Sequence, residues 1–241
     1  LLYAIISDLH ANLEALQRVL QKIEEVRADN IVCLGDVVGY NAKPNECIDL
    51  MRELGVPTVC GNHDAVASGL VDPYGFNPVA LRAALWTRDA LRPDNLQWLK
   101  ELPDVIQFSD FLAVHGSPTD RDSYLFTWEE VIPYIEFIEE RDQNLCFFGH
   151  THYPGIFSAD GMYTVDENSK FRLGQGKTFF INPGSVGQPR DGDPRAAFGL
   201  LDTDKREYEL VRVEYNVQGT ASEILDRGLP NFLAERLFVG R

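Results

Sequence analysis

Five histidines occur in this 241-residue chain, and each stands just past a short apolar run. The run "YAIIS" ends in Asp8-Leu9-His10, and "NIVCL" ends in Gly35-Asp36. "PTVC" ends in Gly61-Asn62-His63-Asp64, "FLAV" in His115-Gly116, and "LCFF" in Gly149-His150-Thr151-His152. Imidazole nitrogen and carboxylate or amide oxygen, without thiolate, suit Mn, Fe, Co, Ni or Zn. The set holds too many ligands for one ion of ordinary coordination number. Two ions sharing a bridging carboxylate would use them.

Each residue alone has a plainer use. A histidine beside a strand end is commonly a satisfied structural residue. Asp8 could complement a helix dipole, and Asp36 or Asn62 could serve a turn. These uses do not explain why all five histidines choose strand ends. In Asp8-x-His10 and His150-x-His152, residues i and i+2 of extended backbone point to one face, so either pair could serve one cluster. The neighbouring glycines let the chain turn sharply.

The elements that must position these residues can be read from the pattern. "NLEALQRVLQKIEE" places Leu13, Leu16, Val19, Leu20 and Ile23 at helical spacing, with Asn12 as N-cap. "PNECIDLMREL" reads as a second helix opened by Pro44. Together with "YAIIS", "NIVCLG" and "PTVCG" these give a βαβαβ rhythm, hence parallel strands with crossover helices. Residues 64–102 break that rhythm. They read as turns followed by a helix, forming either core or a flap over the site, with Tyr74, Phe76 and Trp86 as its aromatics. Trp86 and Trp98 favour core packing.

From Pro103 onward come short strands ("VIQF", "FLAV", "LCFF", "GIFS", "MYTV", "KTFFIN", "AAFGLLD"), one helix "WEEVIPYIEFIEE" and a helical tail. "EYELVRVEY" alternates as a half-exposed antiparallel strand does. The expected fold class is α/β, a four-layer α/β/β/α sandwich of two mixed sheets flanked by helices. Residues 1–241 form one expected domain. Loops beyond the carboxyl ends of parallel strands meet in one crevice, so the polar strand ends would converge.

Composition limits the function. The formal charge is −15, with 37 acids against 22 Lys and Arg. That argues against a broad phosphate-gripping face for nucleic acid. No apolar stretch approaches the roughly 18 residues of a membrane span, and "LLYAIISD" lacks the features of a signal peptide. Cys33, Cys60 and Cys146 sit in apolar runs, and no C-x-x-C pair occurs. Reduced thiols in a core suit a cytoplasmic protein.

The ordered set D-x-H, G-D, G-N-H-D, V-H-G and G-H-T-H, from Asp8 to His152, resembles the calcineurin-like metallophosphoesterase superfamily. "NPGSVGQPRDGDPR" extends the likeness to about Arg195 and is similar to compact prokaryotic members related to phosphodiesterases. The resemblance implies that Asp8, His10 and His152 hold a first metal and that Asn62, His115 and His150 hold a second. Asp36 would bridge both. His63 would face the substrate, with Asp64 orienting it. The implied activity is hydrolysis of a small phosphorylated substrate, a phosphodiester before a monoester, by a hydroxide shared between two divalent ions.

One departure stands out. Protein phosphatases and symmetrical dinucleoside tetraphosphatases carry G-D-x-x-D-R-G, whereas this chain has Gly35-Asp36-Val37-Val38-Gly39-Tyr40-Asn41. The buttressing acid and the phosphate-binding arginine are missing. Arg190 or Arg195 would have to supply the cation, Arg190 being the expected substrate-binding residue alongside Asn62. Two other uses of the fold are a nuclease and a non-catalytic scaffold like the retromer subunit. The charge weighs against the first, the complete ligand set against the second.

Overall fold

The structure is a computed structural model that describes residues 1–167 and 169–241. β1 (Leu2–Ile6) and β2 (Asn30–Cys33) pair in parallel across helix α1 (Leu13–Val26). β1 also pairs antiparallel with β10 (Ala196–Asp202), which pairs with β11 (Glu207–Val213), followed by β8 (Lys170–Arg172). The order of this first sheet is β2-β1-β10-β11-β8. The second sheet runs β3 (Val105–Gln107), β4 (Leu112–Val114), β5 (Leu145–Phe147), β9 (Phe179–Asn182), β6 (Gly155–Ser158) and β7 (Gly161–Tyr163). Its central strands β4, β5 and β9 are parallel.

The two-residue period of the strands builds the layers. Tyr3 and Ile5 of β1 pack with Phe111, Ala113, Leu145 and Phe147 between the sheets. Ala4 and Ile6, on the opposite face, pack with Leu16 and Val19 of α1 and with Ile48 and Met51 of α2 (Pro44–Glu53). Leu112, Val114 and Cys146 face outward onto Val131, Ile135 and Ile138 of α6 (Trp128–Glu139). The result is the four-layer α/β/β/α sandwich. Phe147 has no exposed surface. Burying such a ring contributes about 2–3 kcal/mol.

Asn12 caps α1 by accepting from the Ala15 amide at 3.1 Å, and its amide donates to the Gly187 carbonyl at 2.9 Å. The cap thus ties the first crossover to the loop after β9. One local expectation is corrected, and two details are added. "PTVCG" makes no strand, only one bridge, Thr58 to Cys33. Pro57 has no amide to donate, and Gly61 already caps helix α3 (Asn62–Ser68). Lys170–Arg172 is an edge strand whose exposed charged ends hid it from a hydrophobic reading. The tail forms two helices, α7 (Val217–Asp226) and α8 (Asn231–Leu237), separated at Pro230.

Residues 64–102 contain the rest of α3, then α4 (Pro78–Ala90) and α5 (Pro93–Lys100). Ala80 and Ala83 of α4 join a cluster with Tyr40, Ile224 and Leu233, and Trp86 is partly buried against it. Trp98 is partly buried against the α1–α2 side.

Candidate metal centre

The strand ends do converge, but not through extended backbone. Asp8, His10, Asp36, His150 and His152 all have φ between +47° and +65°. The left-handed region costs a non-glycine residue roughly 1–2 kcal/mol. Such strain persists only where surrounding bonds over-determine it, and here they do. The Asp8 amide donates to Gly35 O (3.0 Å), His10 to Asp36 O (2.9 Å), and Gly149 to His115 O (2.8 Å). The His150 amide donates to Asp8 Oδ2 at 3.2 Å. The same-face argument for residues i and i+2 therefore fails for both pairs. Each left-handed residue aims its side chain separately.

The side chains fall into two groups. Ligand atoms of Asp8, His10 and His152 lie within 4.8 Å of one another, and so do those of Asp36, His115 and His150. His150 and His152 thus go to different groups. All six residues are buried. Asp36 reaches both groups, its Oδ2 lying 3.6 Å from His10 Nε2 and 3.4 Å from His115 Nε2. Asn62 Oδ1 is 3.1 Å from His115 Nε2, beside the second group.

The imidazoles are oriented from behind. His10 Nδ1 faces Val38 O (3.1 Å), His115 Nδ1 faces Leu34 O (2.7 Å), and His152 Nδ1 faces Gln188 O (2.6 Å). A ring that donates Nδ1–H to a carbonyl presents the Nε2 lone pair forward, the usual support for a metal ligand. His10 Nε2 and His152 Nε2 then stand 3.1 Å apart with lone pairs facing. His150 Nε2 is buried without a hydrogen-bond partner among the described residues. Two divalent ions resolve both conditions, and this donor set fits them.

The electrostatics agree. Burial pushes His150 down to about 3 and His10 well below its usual value. Burial also opposes charge on His115, yet Asp36 and its hydrogen bond raise that ring to about 9. The field there calls for a cation at Nε2. Burial disfavours ionised Asp36, but the surrounding histidines, His115 first, hold it well below the carboxylate range.

His63 belongs to neither group. Its ring is enclosed by Tyr40 (4.3 Å between centroids), Phe76 (4.7 Å) and His10 (5.0 Å). Its Nδ1 is buried and unpartnered among the described residues. Asp64 does not orient it, contrary to expectation. Asp64 Oδ1 accepts from the Val38 amide (3.1 Å) and Oδ2 from the Gly61 amide (3.0 Å), so the carboxylate ties the N-cap of α3 to the loop after β2. Burial, then Asp36, raises Asp64 to about 7.

Gly39 fills the position of the missing acid. A Cβ there would lie 2.5 Å from His63 Nδ1, and its φ is +96°. His63 is thus seated against bare backbone. Gly39→Ala should lower thermal stability by about 1–2 kcal/mol and reduce turnover by displacing the ring. A variant with normal melting and turnover would show that the seat does not matter.

Arg190 faces this region. Its Nη2 donates to Gln188 Oε1 (3.0 Å) and approaches the Tyr40 hydroxyl at 3.4 Å. Arg195 does not, being paired with Glu167 (2.8 Å) and Asp193 (2.6 Å). Two neighbours went unforeseen as site residues. Tyr40 packs between His10 and His63, its only sequence signal being the departure from G-D-x-x-D-R-G. Tyr124 lies 3.9 Å from the His150 ring, and nothing in its loop sequence marked it. Of the segment 64–102, Phe76 touches His63, while Tyr74 is 93% exposed.

The calcineurin-like phosphoesterase superfamily domain matches residues 1–206. The chain belongs to that superfamily. It is 39% identical over 243 residues to the uncharacterized protein MJ0912 of Methanocaldococcus jannaschii, covering 99% of this chain and 98% of that one. It superposes on a metallophosphoesterase from Sphaerobacter thermophilus with a TM-score of 0.89 and 37% identity, each chain covered completely. The phosphodiesterase YfcE of Escherichia coli is 27% identical over 208 residues, covering 82% of this chain and 85% of the relative. Superfamily membership and the two ligand groups make this chain a metal-dependent phosphoesterase with a dinuclear site. Among the described residues, no helix is long and apolar enough to cross a membrane.

Proposed function

We propose that this enzyme hydrolyses a small phosphodiester, with Asp8, His10 and His152 holding one ion, Asn62, His115 and His150 the other, and Asp36 bridging. The observation that carries the reading is the single carboxylate oxygen of Asp36 set between two histidine groups. When bound, two such ions supply Lewis acidity and an activated water. The protein's own contribution is orientation and charge. Backbone carbonyls fix the rings, Asn62 and Arg190 approach the phosphoryl oxygens, and His63 serves the leaving oxygen. Burial holds His63 down to about 4, and a bound phosphate anion is the negative charge that would draw a proton to it.

Diester preference is supported by charge. The arginine of the G-D-x-x-D-R-G pattern is Tyr40 here, and Arg190 is the arginine whose side chain reaches that tyrosine beside His63. A monoester dianion asks for more compensation than a diester monoanion. The Escherichia coli relative is itself named a phosphodiesterase. A small substrate rather than nucleic acid fits the −15 charge. A cytoplasmic location fits four free, buried cysteines.

The test compares bis(p-nitrophenyl) phosphate with p-nitrophenyl phosphate under added Mn²⁺, Ni²⁺ or Zn²⁺. Faster diester turnover, abolished by EDTA, is expected. Faster monoester turnover would reverse the preference, and no turnover of either would sink the reading. Arg190→Gln should raise KM for the diester about tenfold, the cost of one charge-assisted hydrogen bond.

A further inference from the structure

Three arginines beside the site make no ion pair with an Asp or Glu side chain among the described residues. Arg190, Arg236 and Arg241 line an open cavity of 420 Å³ together with Tyr153, Asp191 and Gly192. The nearby acids pair with other arginines, although Asp191 keeps its Oδ1 buried without a partner among the described residues. Asp191 pairs with Arg212, while Asp193 and Glu167 pair with Arg195. No Asp or Glu side chain among the described residues reaches these three arginines, and Arg236 Nε instead meets O of Arg241.

The cluster is held in place. The Gly192 amide donates to Gly240 O at 2.9 Å, and the Arg241 amide donates to Arg236 O at 3.2 Å. The first bond fastens the tail to the loop that carries Arg190, and the second closes the turn after α8. The Arg236 guanidinium lies 5.2 Å over the Phe232 ring and donates through Nε to Arg241 O. Burial, then the neighbouring Arg190, lowers Arg236 to about 10. Two guanidinium groups gathered this way repel unless an anion joins them.

The cavity adjoins the metal groups through Arg190. The Arg190 amide donates to His152 O at 3.4 Å, and its side chain reaches the Tyr40 hydroxyl beside His63. We propose that Arg190, Arg236 and Arg241 form a subsite for a second phosphate group of the substrate, next to the one being hydrolysed. Arginine's planar fork suits phosphate oxygens. The substrate class is then a phosphodiester or phosphoanhydride bearing a further phosphate. This rests on the phosphoesterase reading above.

A matched pair of probes tests it: thymidine 5′-(p-nitrophenyl phosphate) with and without a 3′-phosphate. The added phosphate should lower KM about tenfold. Arg236→Gln and the more exposed Arg241→Gln should each remove most of that preference, while Arg236→Lys keeps part of it. Equal KM for the two probes overturns the subsite and leaves the phosphoesterase reading standing. A second measurement does not depend on turnover. Inorganic pyrophosphate titrated calorimetrically into the full chain with EDTA present should bind about tenfold more weakly to Arg236→Gln and Arg241→Gln. Equal affinity for both variants and the unchanged protein overturns the subsite. If bis(p-nitrophenyl) phosphate is not hydrolysed, the phosphoesterase reading falls, and the pyrophosphate titration still decides the subsite.

Discussion

Asp36→Asn should strip the enzyme of metal and activity together. Asp36 Oδ2 stands 3.6 Å from His10 Nε2 and 3.4 Å from His115 Nε2, so one oxygen serves both ligand groups. Its other oxygen accepts from the His63 amide at 2.8 Å, which leaves Oδ2 no rotational freedom. An asparagine keeps the shape and loses the charge. It also turns either an NH₂ toward the metals or an NH₂ toward an amide that needs an acceptor. Two dications without their shared carboxylate repel more strongly, and the weaker-bound ion should leave first. A site deprived of several kcal/mol of charge stabilisation, at about 1.4 kcal/mol per tenfold, slows on the order of 10³-fold. Elemental analysis should fall from two metals per chain to one or none. The metal-free variant should also melt earlier than unchanged metal-free protein, because it leaves the buried His115 imidazolium, raised to about 9 by Asp36, without its charged partner. Two metals retained with turnover within tenfold of the original would remove Asp36 from the bridging role.

Much of this site was legible because its chemistry lies in residue type and order. Histidines are rare, and five of them at strand ends point to one crevice. The four layers were equally open to reading, since Tyr3 and Ile5 against Ala4 and Ile6 is a simple alternation that a buried strand enforces. What the sequence hid depends on backbone dihedrals and on long-range packing. The same-face rule for Asp8 and His10 assumed extended chain, and left-handed conformations at both residues broke it. Asp64 follows His63 directly, which suggested a partnership. Its carboxylate instead accepts from the N-cap Gly61 amide and from the Val38 amide, tying the start of α3 to the loop after β2. Tyr124 comes from a loop with no motif, placed over His150 only by the fold. The arginine pair Arg190 and Arg236 joins positions 46 residues apart, and no local pattern announces it.

His63→Ala should leave both metals bound and cost the reaction instead. The ring is outside both ligand groups, it is held by packing against Tyr40, Phe76 and Gly39, and its Nδ1 has no partner among the described residues. None of those contacts fastens an ion. Loss of a positioned general acid typically costs 10²–10⁴-fold in kcat, with KM and metal content little moved. The size of the loss should depend on the leaving group. p-Nitrophenolate departs without a proton, so bis(p-nitrophenyl) phosphate should be slowed least. An alkyl or nucleoside phosphodiester, whose alkoxide needs the proton, should be slowed most. Equal slowing of both would assign His63 to the phosphoryl oxygens, where charge develops whichever group leaves. A variant purified without metal would instead place His63 among the ligands. The absence of a carboxylate behind His63 sharpens the expectation. With Gly39 where other members of the superfamily carry an acid, the imidazole has only the charge of Asp36 to set against burial, so the substrate's own charge should weigh on its protonation.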